Sequence, residues 1–213
     1  MGVRTFQLIT EADARQLEPG STVELERGGH VTPLAKDTLA ARRVTVVPMG
    51  TIDPALPADL APVSPVRTVA IGSDHTGLAL RTAILTHLRQ SAIAVADLGA
   101  QSTDAVDYPD IAAAVGRAVV RREADAGIVI DGSGLGSAMA ANKIRGVRAA
   151  MCQTPTLARY AREHIGANVL ALGSTLLTPP EAIEIVKTWI GTAMTEARYL
   201  RRLVKVRRLE EGR

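Results

Sequence analysis

Cysteine is all but missing from this 213-residue chain, Cys152 being the only one. A single thiol can form no internal disulfide, so the core must hold the fold, and a reducing compartment is expected. Cys152 closes the apolar run Val147-Arg-Ala-Ala-Met-Cys152, where a buried, inert thiol is the expected state. Aromatic residues are nearly as scarce: Phe6, Tyr108, Tyr160, Trp189 and Tyr199 are all of them. Their scarcity argues against a base-stacking nucleic-acid binder and against a β-sandwich. It favours helix and sheet layers packed with Ala, Val, Ile and Leu. No apolar run approaches the roughly 18 residues of a membrane helix. The start, Met1-Gly-Val-Arg-Thr-Phe6, lacks the apolar stretch of a signal peptide. A cytoplasmic protein without a membrane partner is expected.

Net charge is also small, at +3, and it is unevenly placed. Residues 195–213 hold seven Lys/Arg against three Glu, so the basic excess belongs to the C-terminal segment. One basic helix without aromatic partners reads as a solvated face or a local anion clamp, and no nucleic-acid partner is expected.

What is present divides the chain. Pro48, Pro54, Pro57, Pro62 and Pro65 mark residues 48–66 as a linker. Before it, residues 1–47 form a small N-terminal α+β extension. Thr10 opens a capped helix, and short strands at Val23-Glu-Leu-Glu26 and Val44-Thr-Val-Val47 flank a helix over 32–42 with Pro33 at its first turn. His30, beside Gly28-Gly29, reads as a turn residue. After the linker, residues 67–213 alternate strands (67–73, 93–98, 126–131, 147–152, 168–172) with helices (76–90, 109–123, 134–145, 154–164, 179–192, 195–210). This alternation predicts an α/β fold: a Rossmann-like three-layer αβα arrangement with a five-stranded parallel sheet. Ligands bind such sheets at the carboxyl ends of the strands.

The polar residues near the strand ends are therefore the candidates for chemistry. Asp131-Gly-Ser-Gly-Leu-Gly136 follows a short apolar strand and opens a small-residue helix, which makes its amides an anion site with Asp131 at the mouth. At Gly72-Ser-Asp-His75, Asp74 reads either as a helix N-cap or as a site carboxylate, and His75 suits a phosphate or hydroxyl contact. Tyr108 is expected at the same edge, and so is His164, which lies next to the fifth strand. Arg198 and Arg202, four residues apart on the last helix, can grip a phosphate or simply be solvated.

Taken together, Gly72-Ser-Asp-His-Thr-Gly77, Asp107-Tyr-Pro-Asp110, Gly132-Ser-Gly-Leu-Gly136, Ala140-Ala-Asn-Lys143, Ala161-Arg-Glu-His164 and Ala167-Asn-Val-Leu-Ala-Leu-Gly173 resemble the ribose-5-phosphate isomerase B family. That family includes the galactose-6-phosphate isomerase subunits. The resemblance covers about residues 67–210. It implies aldose–ketose interconversion of a sugar phosphate through an enediol, without metal or cofactor. It also implies a homodimer, or a tetramer built from it, with active sites at the subunit interface. The family's proton-transfer base stands just before the glycine loop, commonly as cysteine, or just after it as glutamate; here those positions are Asp131 and Ser137. The resemblance thus makes Asp131 the base, the loop amides with Ser133 the anion hole, and His164 the ring-opening group. Asp74 would hold sugar hydroxyls, and His75, Arg198 and Arg202 the phosphate. Tyr108, Gly132, Gly134, Gly136 and Asn142 complete the expected substrate contacts. Two positions depart from the family pattern: Ile165-Gly166 follows the histidine where Asn-Asp is usual, and Thr175 stands where an arginine is common. The alternative these departures support is a catalytically altered relative that binds a phosphorylated metabolite without turnover or serves as a microcompartment accessory protein. Thr32-Pro-Leu-Ala-Lys-Asp37 is similar to short segments of bacterial microcompartment accessory proteins. It implies docking to a shell or cargo partner through residues 1–47, or encapsulation within a bacterial microcompartment in the cytoplasm.

Overall fold

A computed structural model describes residues 4–49 and 60–212. Pro54 and Pro57, and the very start of the chain, lie outside the described residues. The first unit runs β1 (Thr5–Ile9), α1 (Glu11–Gln16), β2 (Thr22–Val31), α2 (Pro33–Ala41) and β3 (Thr45–Pro48). Thr10 caps α1 in a reciprocal box with Asp13, and Thr32 caps α2, with Pro33 in its first turn. The strands lie in the order β1-β2-β3, all parallel, over a core of Ile9, Ala14, Leu17, Val23, Ala35, Leu39 and Val44. The extension is thus more regular than expected, with β1 as an added strand. His30 is a strand residue paired with Leu8, not a turn residue. At Gly28 the backbone takes a left-handed φ of 83°, and the β1–β2 register shifts between Phe6 and Leu8, where residues 26–29 bulge out opposite Gln7.

The second unit contains β4 (Thr68–Ser73), a 3-10 turn (His75–Gly77), α3 (Leu78–Gln90), β5 (Ala94–Asp97), α4 (Tyr108–Val120) and β6 (Ala126–Asp131). It continues with α5 (Leu135–Ala141), β7 (Ala149–Met151), α6 (Pro155–Ile165), β8 (Val169–Gly173), α7 (Pro179–Gly191) and α8 (Ala197–Glu210). Its sheet is parallel throughout, in the order β5-β4-β6-β8-β7. Helices cover both faces, as the alternating pattern predicted. Leu80, Ile84 and Leu88 of α3 join Ile185 and Trp189 of α7 on one face, while Ala112, Val115 and Val119 of α4 pack on the other. Every residue of β6 is buried, and Cys152 lies in the first of these cores, where burial pushes its thiol up to about 11. Among the described residues no helix is long and apolar enough to cross a membrane.

The order in which strands are added reverses at β4: β5 lies to one side of it, and β6 to the other. The crevice between the carboxyl ends of β4 and β6 is the place where such a sheet takes a ligand. At the opposite, amino edge, a buried arginine fastens the linker to the sheet. Arg162 donates to the carbonyls of Ala167 at 3.0 Å and Val63 at 2.8 Å, and its guanidinium stacks on Trp189 at 4.6 Å. Burial, with a smaller contribution from Arg148, lowers its pKa to about 10. Replacing Arg162 by Leu strands two carbonyls and should cost about 2–4 kcal/mol of stability. A thermal melt of the variant within experimental error of wild type would show that this clamp contributes nothing.

Candidate active site

At the end of β4, Asp74 turns its carboxylate back onto the chain. Its Oδ1 accepts from the Thr76 amide at 2.9 Å, the Thr76 hydroxyl at 2.6 Å and the Gly77 amide at 3.2 Å. The N-cap reading of Asp74 is therefore its observed role, and only its position at the edge recommends it for sugar contact. His75 follows, and its Nδ1 accepts from the Val106 amide at 3.3 Å, which leaves Nε2 as the donor in the neutral ring. Tyr108 opens α4 at the same edge. Its ring lies so close to Gly136 that a Cβ there would sit 2.6 Å from a ring carbon.

The end of β6 is the most constrained part of this edge. Asp131 is buried, and its Oδ1 accepts from the amides of Ser133 at 2.8 Å and Gly134 at 2.5 Å, with the Ser133 hydroxyl at 3.4 Å. Its Oδ2 accepts from the Ser137 amide at 2.6 Å, and the Ser137 hydroxyl donates as well. Gly134 makes the turn with φ of 79°, under the backbone of Leu172, where any side chain would collide. The loop is braced from β8: the Ser174 amide donates to the Asp131 carbonyl at 2.8 Å, and the Thr175 hydroxyl to the Gly132 carbonyl at 2.6 Å. Thr175 thus supports the loop's backbone from a position where a phosphate-binding arginine was the expectation.

These bonds define what Asp131 can do. Burial by itself would raise its pKa, but the Ser137 hydroxyl and the amides of Ser137, Gly134 and Ser133 outweigh that and hold it below the ordinary carboxylate value. In this state Asp131 is a weaker base than an aspartate in water. The amides expected to form an anion hole already hold an anion, and it belongs to the chain.

His164, Arg198 and Arg202 are not at this edge. A helix that follows a parallel strand runs back beside it, so the C-terminus of α6 lies at the amino edge, just before β8. His164, expected with the strand ends, is there instead. Its ring stacks on Tyr160 at 4.7 Å and on Tyr199 at 4.6 Å. Arg198 and Arg202 lie over the Tyr199 ring at 4.8 and 5.6 Å, and Arg198 also donates to the Tyr199 hydroxyl at 3.0 Å. Imidazole and guanidinium groups thus share one aromatic hub, Tyr199, which no local sequence pattern marks. Gly166 closes α6 with φ of 57°, a left-handed cap that favours glycine, and Ile165 is exposed. Asn142, expected with the substrate contacts, is also at the amino edge. Its side chain donates to the Ala149 carbonyl at 2.9 Å and accepts from the Ala149 amide at 2.8 Å, bracing the start of β7.

Comparisons with known proteins match the second unit of the chain. The family described as Ribose/Galactose Isomerase matches residues 69–206. Ribose-5-phosphate isomerase B of Escherichia coli (strain K12) is 37% identical over 147 residues, which cover 69% of this chain and 99% of that protein. Ribose-5-phosphate isomerase B of Clostridium thermocellum has a solved structure that is similar with a TM-score of 0.67 at 41% identity, covering 68% of this chain and 98% of that one. The Mycoplasma genitalium structure, with bound ribulose-5-phosphate, is similar with a TM-score of 0.66 at 41% identity, covering 68% and 97%.

The hydrogen bonding of Asp131 carries a stability signature. A pKa lower in the folded than in the unfolded chain adds stability that is complete above the ordinary carboxylate value and is lost as pH falls through the depressed one. The difference in unfolding free energy between wild type and Asp131→Asn, from denaturant melts, should hold steady from about pH 7 to 5 and narrow below about pH 4. A difference that stays flat to the lowest measurable pH would refute the ionised cap.

Proposed function

The chain belongs to the Ribose/Galactose Isomerase family and is an isomerase of sugar phosphates; we propose that it works through an enediol, on a substrate of the ribose 5-phosphate/ribulose 5-phosphate type, at a site shared by two copies. The observation that carries the shared site is the division of candidate groups between opposite edges of one sheet. Asp131, Ser133, Asp74, His75 and Tyr108 stand at the carboxyl edge, while His164, Arg198 and Arg202 stand at the amino edge. One chain cannot bring these groups onto one five-carbon substrate, but a partner that presents its amino edge to this carboxyl edge can. Exposed apolar side chains support such an arrangement: Leu135 and Met139 on α5 beside the loop, and Tyr160 and Ile165 on α6 beside the other half.

The chemistry divides in the same way. His164 opens the sugar ring, fixed between two tyrosine rings, while Arg198 and Arg202 hold the phosphate. His75 offers Nε2–H to the same phosphate, and Tyr108 and the loop border the open-chain sugar. Asp131 moves the proton between C1 and C2, with Ser133 beside the developing oxyanion. A second reading has one specific support: Asp131 is tied up by amides, which suits a relative that binds a phosphorylated metabolite without turnover. Such a protein would be stabilised by ligand yet leave the C2 hydrogen in place. Residues 1–47 lie outside the matched stretch and have a core of their own. We place their role in docking, with a microcompartment shell or cargo protein as the kind of partner, in the cytoplasm.

The direct test is solvent exchange at C2 of ribose 5-phosphate and other aldose phosphates by wild type and Asp131→Asn. Loss of at least 100-fold in the variant is expected, and exchange that survives removes Asp131 from the role. The shared site has a separate test. Asp131→Asn and His164→Gln chains, each inactive alone, should recover up to about a quarter of wild-type activity when unfolded and refolded together, because half of the mixed pairs' sites are intact. Mixtures that stay inactive would confine the site to one chain.

A further inference from the structure

The glycine loop takes its shape by wrapping a charge that the chain itself supplies. The amides of Ser133, Gly134 and Ser137 converge on the Asp131 carboxylate, as does the Ser137 hydroxyl. The same amides stand at the start of α5, beside the carboxyl ends of β6 and β8, and are the donors the loop would offer to an enediolate oxygen. Two anions cannot hold them at once.

Building on the isomerase reading, we propose that the Asp131 carboxylate is the resident occupant of the enediolate hole, and that the substrate's oxygen takes its place when an open-chain aldose phosphate binds. The exchange alters both anions. Held by its donors, the carboxylate is a poor base. Released from them while still shielded from water, it regains proton affinity beside the C2 hydrogen. It then takes the C2 proton, the C2–H electron pair becomes the C1–C2 double bond, and the carbonyl pair moves onto O1, where the vacated amides hold it. The 2-hydroxyl proton passes to O1, and the Asp131 acid returns its proton to C1 as the C2 carbonyl forms. Atoms and charge balance, and the carboxylate is free to return to its amides when the ketose leaves. A thiol accepts hydrogen bonds only weakly, so this exchange belongs to a chain with a carboxylate at the position.

The exchange makes an unusual prediction: deleting the proposed base should tighten binding of an enediolate mimic. The probe is a phosphorylated four-carbon hydroxamate, whose planar anionic head copies the enediolate. Isothermal titration should show Asp131→Ala binding it at least tenfold more tightly than wild type, because no resident anion has to leave. The phosphate contacts are common to both proteins and cancel. Binding that is equal or weaker, with the variant's fold verified by circular dichroism, overturns the proposal. A measurement on wild type does not depend on that variant. The side-chain carboxyl resonance of Asp131, assigned by its loss in Asp131→Asn, should titrate at higher pH once the hydroxamate is bound. An unchanged titration means the carboxylate never leaves its amides. Turnover tests the isomerase reading separately: wild type that isomerises no aldose phosphate sinks that reading, whereas hydroxamate affinity and titration decide the exchange.

Discussion

In a parallel sheet each helix must run back along the strand before it, and that constraint governs where this chain can place chemistry. Strand ends and the helix starts that follow them collect at one edge, while helix ends collect at the other. Asp74, His75, Tyr108 and Asp131 belong to the first group by their place in the βα turns. His164 belongs to the second because it closes α6, and α8 joins it there through the Tyr199 contact. The spread of candidate groups over both edges is therefore a property of the topology. Among the described residues the two edges carry different groups. The amino edge holds cations and an imidazole but lacks the glycine loop, and the carboxyl edge has the loop without the paired arginines.

Within the carboxyl edge, the loop after β6 is over-determined. Gly134 supplies the turn, Ser174 and Thr175 tie its backbone to β8, and the Asp131 carboxylate draws its amides inward. Ser137 shows how two positions change together. It stands where some family members have glutamate, and both its amide and its hydroxyl serve Asp131. A second carboxylate at that position would face the first across one turn of helix, and their repulsion would raise one pKa. With serine there, the loop wraps a single carboxylate, that of Asp131.

Much of this was legible in the residues. The apolar runs and their spacing marked all five strands of the main sheet to within one or two residues, because buried parallel strands read as short aliphatic segments between amphipathic helices. The glycine loop and the Asp74 cap were legible for the same reason, since turn chemistry is local. The edge on which His164 falls was not read, although the rule that places it is simple: adjacency to β8 in sequence means its beginning, not its end. The inward turn of Asp131 was half-legible. Asp-Gly-Ser before a helix is an Asx-turn pattern that folds a side chain back on its own amides, yet its residue types equally suit an outward-facing base. Tyr199 gave no signal, because its stacking on His164 and under two arginines joins α6 to α8 across about 35 intervening residues. The strand β1 was missed because five residues at the edge of a small unit alternate too briefly to stand out.

One consequence concerns oxidative stress. The only thiol is sealed in the core between sheet and helices, with its proton held to about 11. An unionised, inaccessible thiol reacts slowly with peroxides. The position before the glycine loop carries Asp131, a carboxylate that such oxidants leave alone. If Asp131 moves the proton as proposed, that step depends on no thiol, and turnover should outlast that of a thiol-based relative under peroxide or thiol-modifying reagents.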